Sequence, residues 1–246
     1  MKFFTALFVP FFAIAGISIQ TAPAYAGDYA NVEIYGFSDE GFRFAFEQFG
    51  LESGSGAPYS DIFVIDTQTD SWVQGSPFRL KKEADEFPDP AQDLYDLRQE
   101  NQQAARETLA NSRISGEGRT VGHNPPTEIG ANPHKMAVNP RLIVPPADNP
   151  MVFMLEEYPL QSGDCAAYGD DVKGFRLTVS NEGIDRVINE DKKLPKSRGC
   201  PIRYRVERVV TFYPAGRPAV FAALILMESY GFEGPDGRFL AITGRI

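Results

Sequence analysis

The sequence contains few of the residues that carry most catalytic and metal-binding chemistry. It has two histidines, two cysteines and one tryptophan in 246 residues. The motifs G-x-S-x-G and H-E-x-x-H, the P-loop and the dinucleotide-binding fingerprint are all absent from the sequence. These absences exclude the motif-defined serine hydrolases, zinc peptidases and nucleotide-binding enzymes, and the sequence implies no cofactor.

Positive charge is also scarce relative to negative charge. Lys and Arg number 24 against 33 Asp and Glu, which gives a net charge of −9 at pH 7 and a pI near 4.8. Binding to a phosphate backbone requires an excess of basic residues, so nucleic acid is excluded as a partner. The composition leaves cations, neutral glycans and other proteins, and we expect a protein or glycan partner in the cell envelope.

Long apolar runs are missing after residue 26, and residues 1–26 resemble a secretory signal peptide. Lys2 provides the charged start, residues 3–17 form the apolar region, and residues 24–26 form an A-x-A cleavage site. An uncleaved membrane anchor is the alternative, but the apolar run is short for a span and no basic cluster follows it. We therefore expect a periplasmic or secreted protein with no stable membrane insertion after cleavage.

The two cysteines both lie in the part of the chain that is exported. In an oxidising compartment, a single pair such as Cys165 and Cys200 is most simply one disulfide. A catalytic thiol is the alternative, and no histidine lies between the two cysteines or close to them in sequence. The disulfide is the favoured interpretation.

A β-hairpin pattern is the strongest feature that the sequence does contain. Residues 36–66 read GFSDEGFRFAFEQFGLESGSGAPYSDIFVID, in which a turn at 38–41 precedes the alternating Phe42, Phe44 and Phe46. Alternation with period two is typical of a strand with one buried face. Glycines and a proline then break the pattern before a second apolar strand at 62–65.

This pattern returns twice later in the chain. Residues 153–163, FMLEEYPLQSG, and residues 226–234, LMESYGFEG, match residues 44–54, FAFEQFGLESG. Each copy has an apolar strand, a glutamate, an aromatic residue two positions later, and then Gly or Pro. We predict a mainly β fold built from three related hairpin units in one domain over residues 27–246, either propeller-like or sandwich-like.

Two insertions separate the first unit from the second. Asp89 and Pro90 form an N-cap and first-turn pair for a helix at about 89–113, within a helical insertion over 88–115. Residues 116–150 contain seven prolines, four of them after Asn, which predicts a Pro-rich loop with at most a short strand near 141–144. Long loops often carry function, so this loop is the first place to search for a binding site.

Five residues are candidates for binding chemistry. Glu47, Glu156 and Glu228 occupy equivalent positions in the three units, so they predict either a cation or sugar site of converging carboxylates or three turn caps. His123 and His134 are the only histidines, and both lie in the Pro-rich loop. They are candidate metal ligands, although two exposed loop histidines are the simpler explanation.

The block at residues 36–75, GFSDEGFRFAFEQFGLESGSGAPYSDIFVIDTQTDSWVQG, resembles a family of bacterial predicted secreted proteins of unknown function. The resemblance extends over the mature chain; it implies export and supplies no catalytic residues. The pattern F-S-D-E-G-F-R-F-A-F followed by I-F-V-I-D is also similar to the blade repeat of TolB-type β-propellers. Three copies are too few for a closed propeller in one chain.

These observations favour an exported, non-enzymatic module that binds a ligand or a protein. Such a module needs an exposed apolar or aromatic patch. One alternative is an enzyme that acts on cell-envelope glycans, which needs two carboxylates in one cleft. Another is a metal-binding module, which needs His123 and His134 to converge with a carboxylate.

Overall fold

The computed structural model describes residues 27–83, 89–232 and 234–246. Residues 1–26, the predicted signal peptide, lie outside the described residues. Within the described ranges the chain forms fourteen strands and one α-helix, so the fold is mainly β as the sequence predicts. The helix, α1, covers Pro90–Asn111.

Sheet 1 is formed by the first part of the described chain. Its strands are β1 (Asn31–Ser38), β2 (Arg43–Leu51), β3 (Pro58–Asp66), β4 (Ser71–Trp72), β5 (Phe78–Lys81) and β6 (Ile114–Glu117). They are antiparallel in the order β4-β3-β2-β1-β6, and β5 also pairs with β3. The turn between β1 and β2 is the predicted one, closed by a hydrogen bond from Gly41 N to Ser38 O.

The remaining strands form two smaller antiparallel sheets. Sheet 2 has the order β11-β10-β9-β8, with β8 (Lys135–Val138), β9 (Met151–Pro159), β10 (Lys173–Asn181) and β11 (Ile184–Glu190). Sheet 3 has the order β14-β13-β12-β7, with β7 (Arg119–His123), β12 (Pro201–Phe212), β13 (Val220–Tyr230) and β14 (Pro235–Arg245). Short 3₁₀ helices cover Gly163–Asp171 and Lys196–Arg198.

The repeated motif lies on the middle strand of three antiparallel meanders. Its copies occupy β2 between β1 and β3, β9 between β8 and β10, and β13 between β12 and β14. The three predicted hairpin units are therefore present, one in each sheet. In the described residues the sheets form no closed propeller, and the structure gives no support to the likeness to TolB-type propellers.

Sheet 3 is the middle layer of a sandwich. Successive side chains of a strand point to opposite faces, and β13 packs an apolar set on each side. Residues that pack with sheet 1 are Val220, Ala222, Leu224 and Leu226; those that pack with sheet 2 are Phe221, Ala223, Ile225 and Met227. The nearly continuous apolar run of this strand is typical of a strand buried on both faces.

Helix α1 covers the outer face of sheet 1. The Asp89 side chain caps it by accepting a hydrogen bond from Gln92 N, and Pro90 opens its first turn. The helix buries Leu97, Asn101 and Ala105 and contacts β3, β5 and β2. It therefore packs on the sheet along one narrow stripe and leaves its other faces to solvent.

The Pro-rich segment 116–150 is more ordered than the sequence predicts. It contributes β7 to sheet 3 and β8 to sheet 2, and β8 anchors itself by burying Met136 and Val138. The sequence allows at most a short strand near 141–144, and these residues form none. Prolines at 140 and 145 flank this stretch, and each removes a backbone donor that a strand ladder requires.

The predicted disulfide is present between Cys165 and Cys200, with an S–S distance of 2.04 Å. It joins the 3₁₀ helix at Gly163–Asp171 to the residue that precedes β12. Because neither cysteine is free, the alternative of a catalytic thiol is wrong.

Candidate functional site

The three repeated glutamates form separate ion pairs in the described structure. Each one contacts a different arginine, and their side chains differ widely in exposure. The pairs are Glu47–Arg98 at 2.9 Å, Glu156–Arg176 at 3.3 Å and Glu228–Arg203 at 2.7 Å, with side-chain exposures of the glutamates of 0%, 67% and 13%. The glutamates therefore belong to three local contacts, one in each sheet.

Glu47 is fully buried and lies at the centre of a cluster that we call the helix clamp: Tyr35, Glu47, Ser60, Arg98 and Gln102. Its carboxylate accepts hydrogen bonds from Tyr35 Oη at 2.6 Å, Ser60 Oγ at 2.9 Å and Gln102 Nε2 at 3.2 Å. Arg98 donates through both Nε and Nη2 at 2.9 Å. Burial alone raises the pKa of the Glu47 carboxyl, but these donors outweigh burial and the pKa is lowered.

The two histidines contact different glutamates on different sheets. His123, at the end of β7, places Nε2 at 2.7 Å from the buried Glu207 carboxylate. His134, just before β8, lies with Nε2 at 3.6 Å from Glu157 Oε1. The described residues contain no group of three or more His, Cys, Asp or Glu that could hold a metal, so the predicted convergence on a metal is not found.

A cleft of about 480 Å³ opens where the three sheets meet, and we call it the three-sheet cleft. Sheet 1 contributes the inner face of β3 and its edge strands, sheet 3 contributes β14, and the chain after β11 forms the far wall. Its lining comprises Phe46, Gln48, Asp61, Phe63, Ile65, Asp70, Trp72, Arg79, Asn189, Pro195, Ser197, Arg198, Gly199, Met227, Ser229 and residues 238–242.

Strand β3 places a carboxylate inside this cleft. Alternation puts Asp61 on the same face as Phe63 and Ile65, which line the apolar side of sheet 1. Gln48, directly across on β2, donates from Nε2 to Asp61 Oδ2 at 2.9 Å. The other end of the Gln48 amide accepts from Phe239 N at 2.7 Å, so one side chain joins β14 to Asp61.

Burial raises the pKa of the Asp61 carboxyl, because the Gln48 hydrogen bond and the charges of Arg79 and Arg238 compensate only in part. The Gln48 amide lowers the pKa through its hydrogen bond, and Arg79 lowers it further, with Nε at 4.0 Å from Asp61 Oδ1. A carboxyl with a raised pKa in a cleft is a frequent mark of a functional site.

A second carboxylate, Asp70, reaches the cleft from the turn between β3 and β4. Its Oδ1 accepts from Thr243 N at 2.7 Å and from Thr243 Oγ1 at 2.8 Å, which fixes the turn against β14. Asp70 is exposed at the surface of the turn, and the neighbouring protein groups raise the pKa of its carboxyl by removing part of the surrounding water. The Thr243 bonds and the charge of Arg198 lower that pKa only in part.

The mouth of the cleft carries the only tryptophan of the chain. Trp72 is 45% exposed, and its ring lies 6.0 Å from that of Phe63. The Arg79 guanidinium lies 5.7 Å from the Trp72 ring, and half of the Arg79 side chain is exposed. The mouth therefore offers an aromatic surface beside an accessible cation.

A second pocket, of about 600 Å³, brings together two of the predicted residues, His134 and Glu228. Its carboxylates are already occupied: Glu228 accepts from Arg203 at 2.7 Å and from Tyr29 Oη at 3.0 Å, while Glu157 contacts His134. Burial and the neighbouring Glu228 raise the pKa of Tyr29 to about 12. Because these groups satisfy one another, the three-sheet cleft is the better candidate.

Sequence reasoning missed the residues that define this cleft. The available signal was in β3, where Asp61 interrupts the apolar alternation of Tyr59, Phe63 and Ile65. A carboxylate on the buried face of a strand requires a partner or a function. No comparable signal in the sequence places Trp72 beside it.

Residues 45–245 match the family model described as Predicted secreted protein (DUF2259). Neither the curated proteins nor the solved structures contain a match. No helix in the described ranges is long and apolar enough to cross a membrane. The Cys165–Cys200 disulfide agrees with an oxidising compartment outside the cytoplasm. The chain therefore belongs to the DUF2259 family of predicted secreted proteins.

Proposed function

We propose that this protein is an exported, non-enzymatic binding module whose ligand occupies the three-sheet cleft. Residues 1–26 serve as its signal peptide, and residues 27–246 form the module. The observation that carries the proposal is the joint presence of Asp61 and Asp70, both with raised pKa, in a cleft with Trp72 at its mouth. Ligand sites are typically concave and apolar, with a few convergent polar groups of perturbed pKa.

The cleft is also organised in advance for binding. Its floor is formed by apolar side chains of two sheets, among them Phe46, Phe63 and Phe239. Gln48 holds one carboxylate and Thr243 holds the other, so neither has to be ordered when a ligand arrives. Pre-organised groups lose less entropy on binding.

The second candidate function is an enzyme that acts on cell-envelope glycans. The observation that favours it is that Asp61 and Asp70 share one cleft, as an acid–base pair requires. The binding module is preferred because Asp70 Oδ1 is already held by two bonds from Thr243, which gives that carboxylate a structural task.

Because Trp72 is the only tryptophan, its fluorescence reports directly on occupancy of the cleft. We would add the small-molecule fraction of an envelope extract to the mature protein and follow the emission of Trp72. A binding module gives a stable, saturable shift that is weaker in Asp61→Asn and unchanged in Glu156→Gln, a carboxyl-to-amide control on another sheet. The absence of any saturable shift would refute the proposal.

The same experiment separates binding from catalysis. An enzyme consumes its substrate, so the shift decays with time in the wild type and persists in Asp61→Asn. A shift that stays constant for hours in both proteins supports the module. Decay in the wild type alone would transfer the assignment to the enzyme.

A further inference from the structure

The charges that line the three-sheet cleft restrict the kind of ligand that it accepts. Arg198 is paired with Asp191 at 2.5 Å, and Arg238 is paired with Asp28 at 2.5 Å. Both carboxylate partners are buried, so these two cations are compensated by the protein itself. Among the described lining residues, only Arg79 remains as a cation without a close carboxylate, and its nearest one is Asp61 at 4.0 Å. Asp61 and Asp70 outnumber Arg79 among the uncompensated charges of the cleft, so the net charge of its lining is negative and disfavours an anion.

A cationic ligand or a metal is also poorly matched. Asp61 and Asp70 are held by separate parts of the fold, one by Gln48 and the other by Thr243. They form no metal-binding cluster with other acidic or histidine side chains of the described residues. What the two carboxylates offer is hydrogen-bond acceptance, which suits a ligand with many hydroxyl donors.

The aromatic mouth matches the apolar face of a sugar ring. Tryptophan combines a large apolar surface with a fixed shape, so it packs well against the C–H groups of a pyranose. The Arg79 contact with Trp72, at 5.7 Å, is near the outer limit of about 6 Å for a cation–π contact, so a ligand ring readily replaces it. Uncharged Ser197 and Ser229 also line the cleft and supply further hydroxyl partners.

The site is longer than one sugar ring. A smaller pocket of about 270 Å³ adjoins the three-sheet cleft, because Asp61, Arg79 and Arg238 line both, and we call the two together the groove. The only other charges among the described lining of the smaller pocket, Lys81 and Glu52, pair with each other at 2.6 Å. The extension therefore adds length without adding net charge.

We propose that this groove binds a neutral oligosaccharide, with one ring packed on Trp72 and its hydroxyl groups donating hydrogen bonds to Asp61. This inference rests on the proposed function, because it names the ligand class of the same cleft. No covalent step is involved.

The test uses defined trisaccharides and two charged controls. The mature protein is titrated with cellotriose, maltotriose and chitotriose, and separately with trigalacturonate and with trilysine, while Trp72 emission and binding heat are recorded. We expect saturable binding of at least one neutral probe and none of the charged ones. Asp61→Asn should weaken that binding about tenfold, since it removes a charge-assisted hydrogen bond.

Two further variants complete the design. Trp72→Ala, read by binding heat, should weaken binding about tenfold, because it removes the aromatic surface on which the sugar ring packs. The variant should still fold, because Trp72 lies on β4, an exposed edge strand of two residues. Glu156→Gln should bind as the wild type does. Binding of a charged probe alone would overturn the sugar class and leave the binding module standing. If no probe binds while the envelope extract still shifts Trp72, the sugar class is wrong; if the extract is silent too, both proposals fail.

Discussion

The two faces of sheet 1 each carry a carboxyl group, and the pKa values of the two groups shift in opposite directions. On the outer face, Glu47 lies in the helix clamp under α1; on the inner face, Asp61 lies in the three-sheet cleft. Neighbouring residues of β3 serve the two sites, since Ser60 donates to Glu47 and Asp61 is the next residue along the strand. Burial raises the pKa of both carboxyls, yet the net pKa falls for Glu47 and rises for Asp61.

The number of donors explains this difference. Glu47 receives four kinds of donor, including a bidentate guanidinium that also lies 3.5 Å from the centre of the Phe49 ring. Asp61 receives one amide hydrogen bond, and the two arginines that act on it, Arg79 and Arg238, do so only through their charge. A saturated carboxylate stabilises the fold, whereas an incompletely satisfied one has capacity left for a ligand.

The largest effect is expected from breaking the clamp. Glu47→Ala removes the buried partner of the Glu47–Arg98 ion pair and leaves Tyr35, Ser60 and Gln102 without this acceptor. We expect the free energy of unfolding at pH 7 to fall by about 4 kcal/mol, as measured by urea denaturation.

The repeat supplies matched controls for that variant. Glu156→Ala removes the equivalent glutamate at a side chain that is 67% exposed, and it should cost about 0.5 kcal/mol. Glu228→Ala, at 13% exposure, should lie between the two. If the three variants lost equal free energy of unfolding, burial of Glu47 in the helix clamp would make no extra contribution to stability.

Removal of the disulfide should cause the next largest loss of stability, and it should also affect the three-sheet cleft. The bond closes a loop with a sequence separation of 35, so Cys165→Ser with Cys200→Ser should cost about 3 kcal/mol of unfolding free energy. Gly199 adjoins the bond and lines the cleft, so ligand binding should weaken as well.

Reductant added to the wild type is the control for this pair, because the chain has no other cysteine. Reduced wild type and the double variant should unfold at the same urea concentration. A stability loss without any change in ligand binding would show that the far wall of the cleft holds its shape without the bond.

The smallest expected effect is a gain in stability, and it comes from Asp61→Asn. Asp61→Asn keeps the Gln48 contact and removes a charge that burial disfavours. The free energy of unfolding at pH 7 should therefore be about 0.5–1 kcal/mol higher than in the wild type. The folded pKa of Asp61 lies above its ordinary value of 3.8, so the wild type loses stability as pH rises from 3.8 through the folded pKa. The advantage of the variant should vanish below that window.

Glu47→Gln gives the inverse pH profile. The folded pKa of Glu47 lies below its ordinary value of 4.5, so its contribution is present above 4.5 and is lost as pH falls through the folded pKa. The wild type should exceed this variant at pH 7 and approach it in acid. Parallel pH profiles for the two variants would contradict the contrast between the two faces.

Much of the fold follows from local pattern. Alternation predicts the hairpin of β2 and β3, the continuous apolar run predicts the doubly buried β13, and Asp89-Pro90 predicts the start of α1. The repeat correctly gives three related units, because each is one meander with its own turns. The pattern does not determine the order of the sheets in the sandwich, because it shows that one face of a hairpin is buried but not which sheet covers that face.

The candidate site depended on information that no local pattern contains. Asp70 is held by Thr243, at a sequence separation of 173, and Gln48 is held by Phe239 at a separation of 191. The repeated glutamates looked equivalent in sequence, yet an inserted helix covers only one of them. Glu47 is therefore buried because α1 is inserted over it, and the motif itself does not encode this insertion.

The central position of sheet 3 has a consequence for the order in which the chain folds. Three of its four strands lie within residues 201–245, and they supply the shared layer of both apolar cores. Until these strands are present, the inner faces of sheets 1 and 2 have nothing to cover them and are prone to aggregate. Neither core is complete until the C-terminal strands have been synthesised and have folded. A truncation that removes β14 should therefore expose both cores.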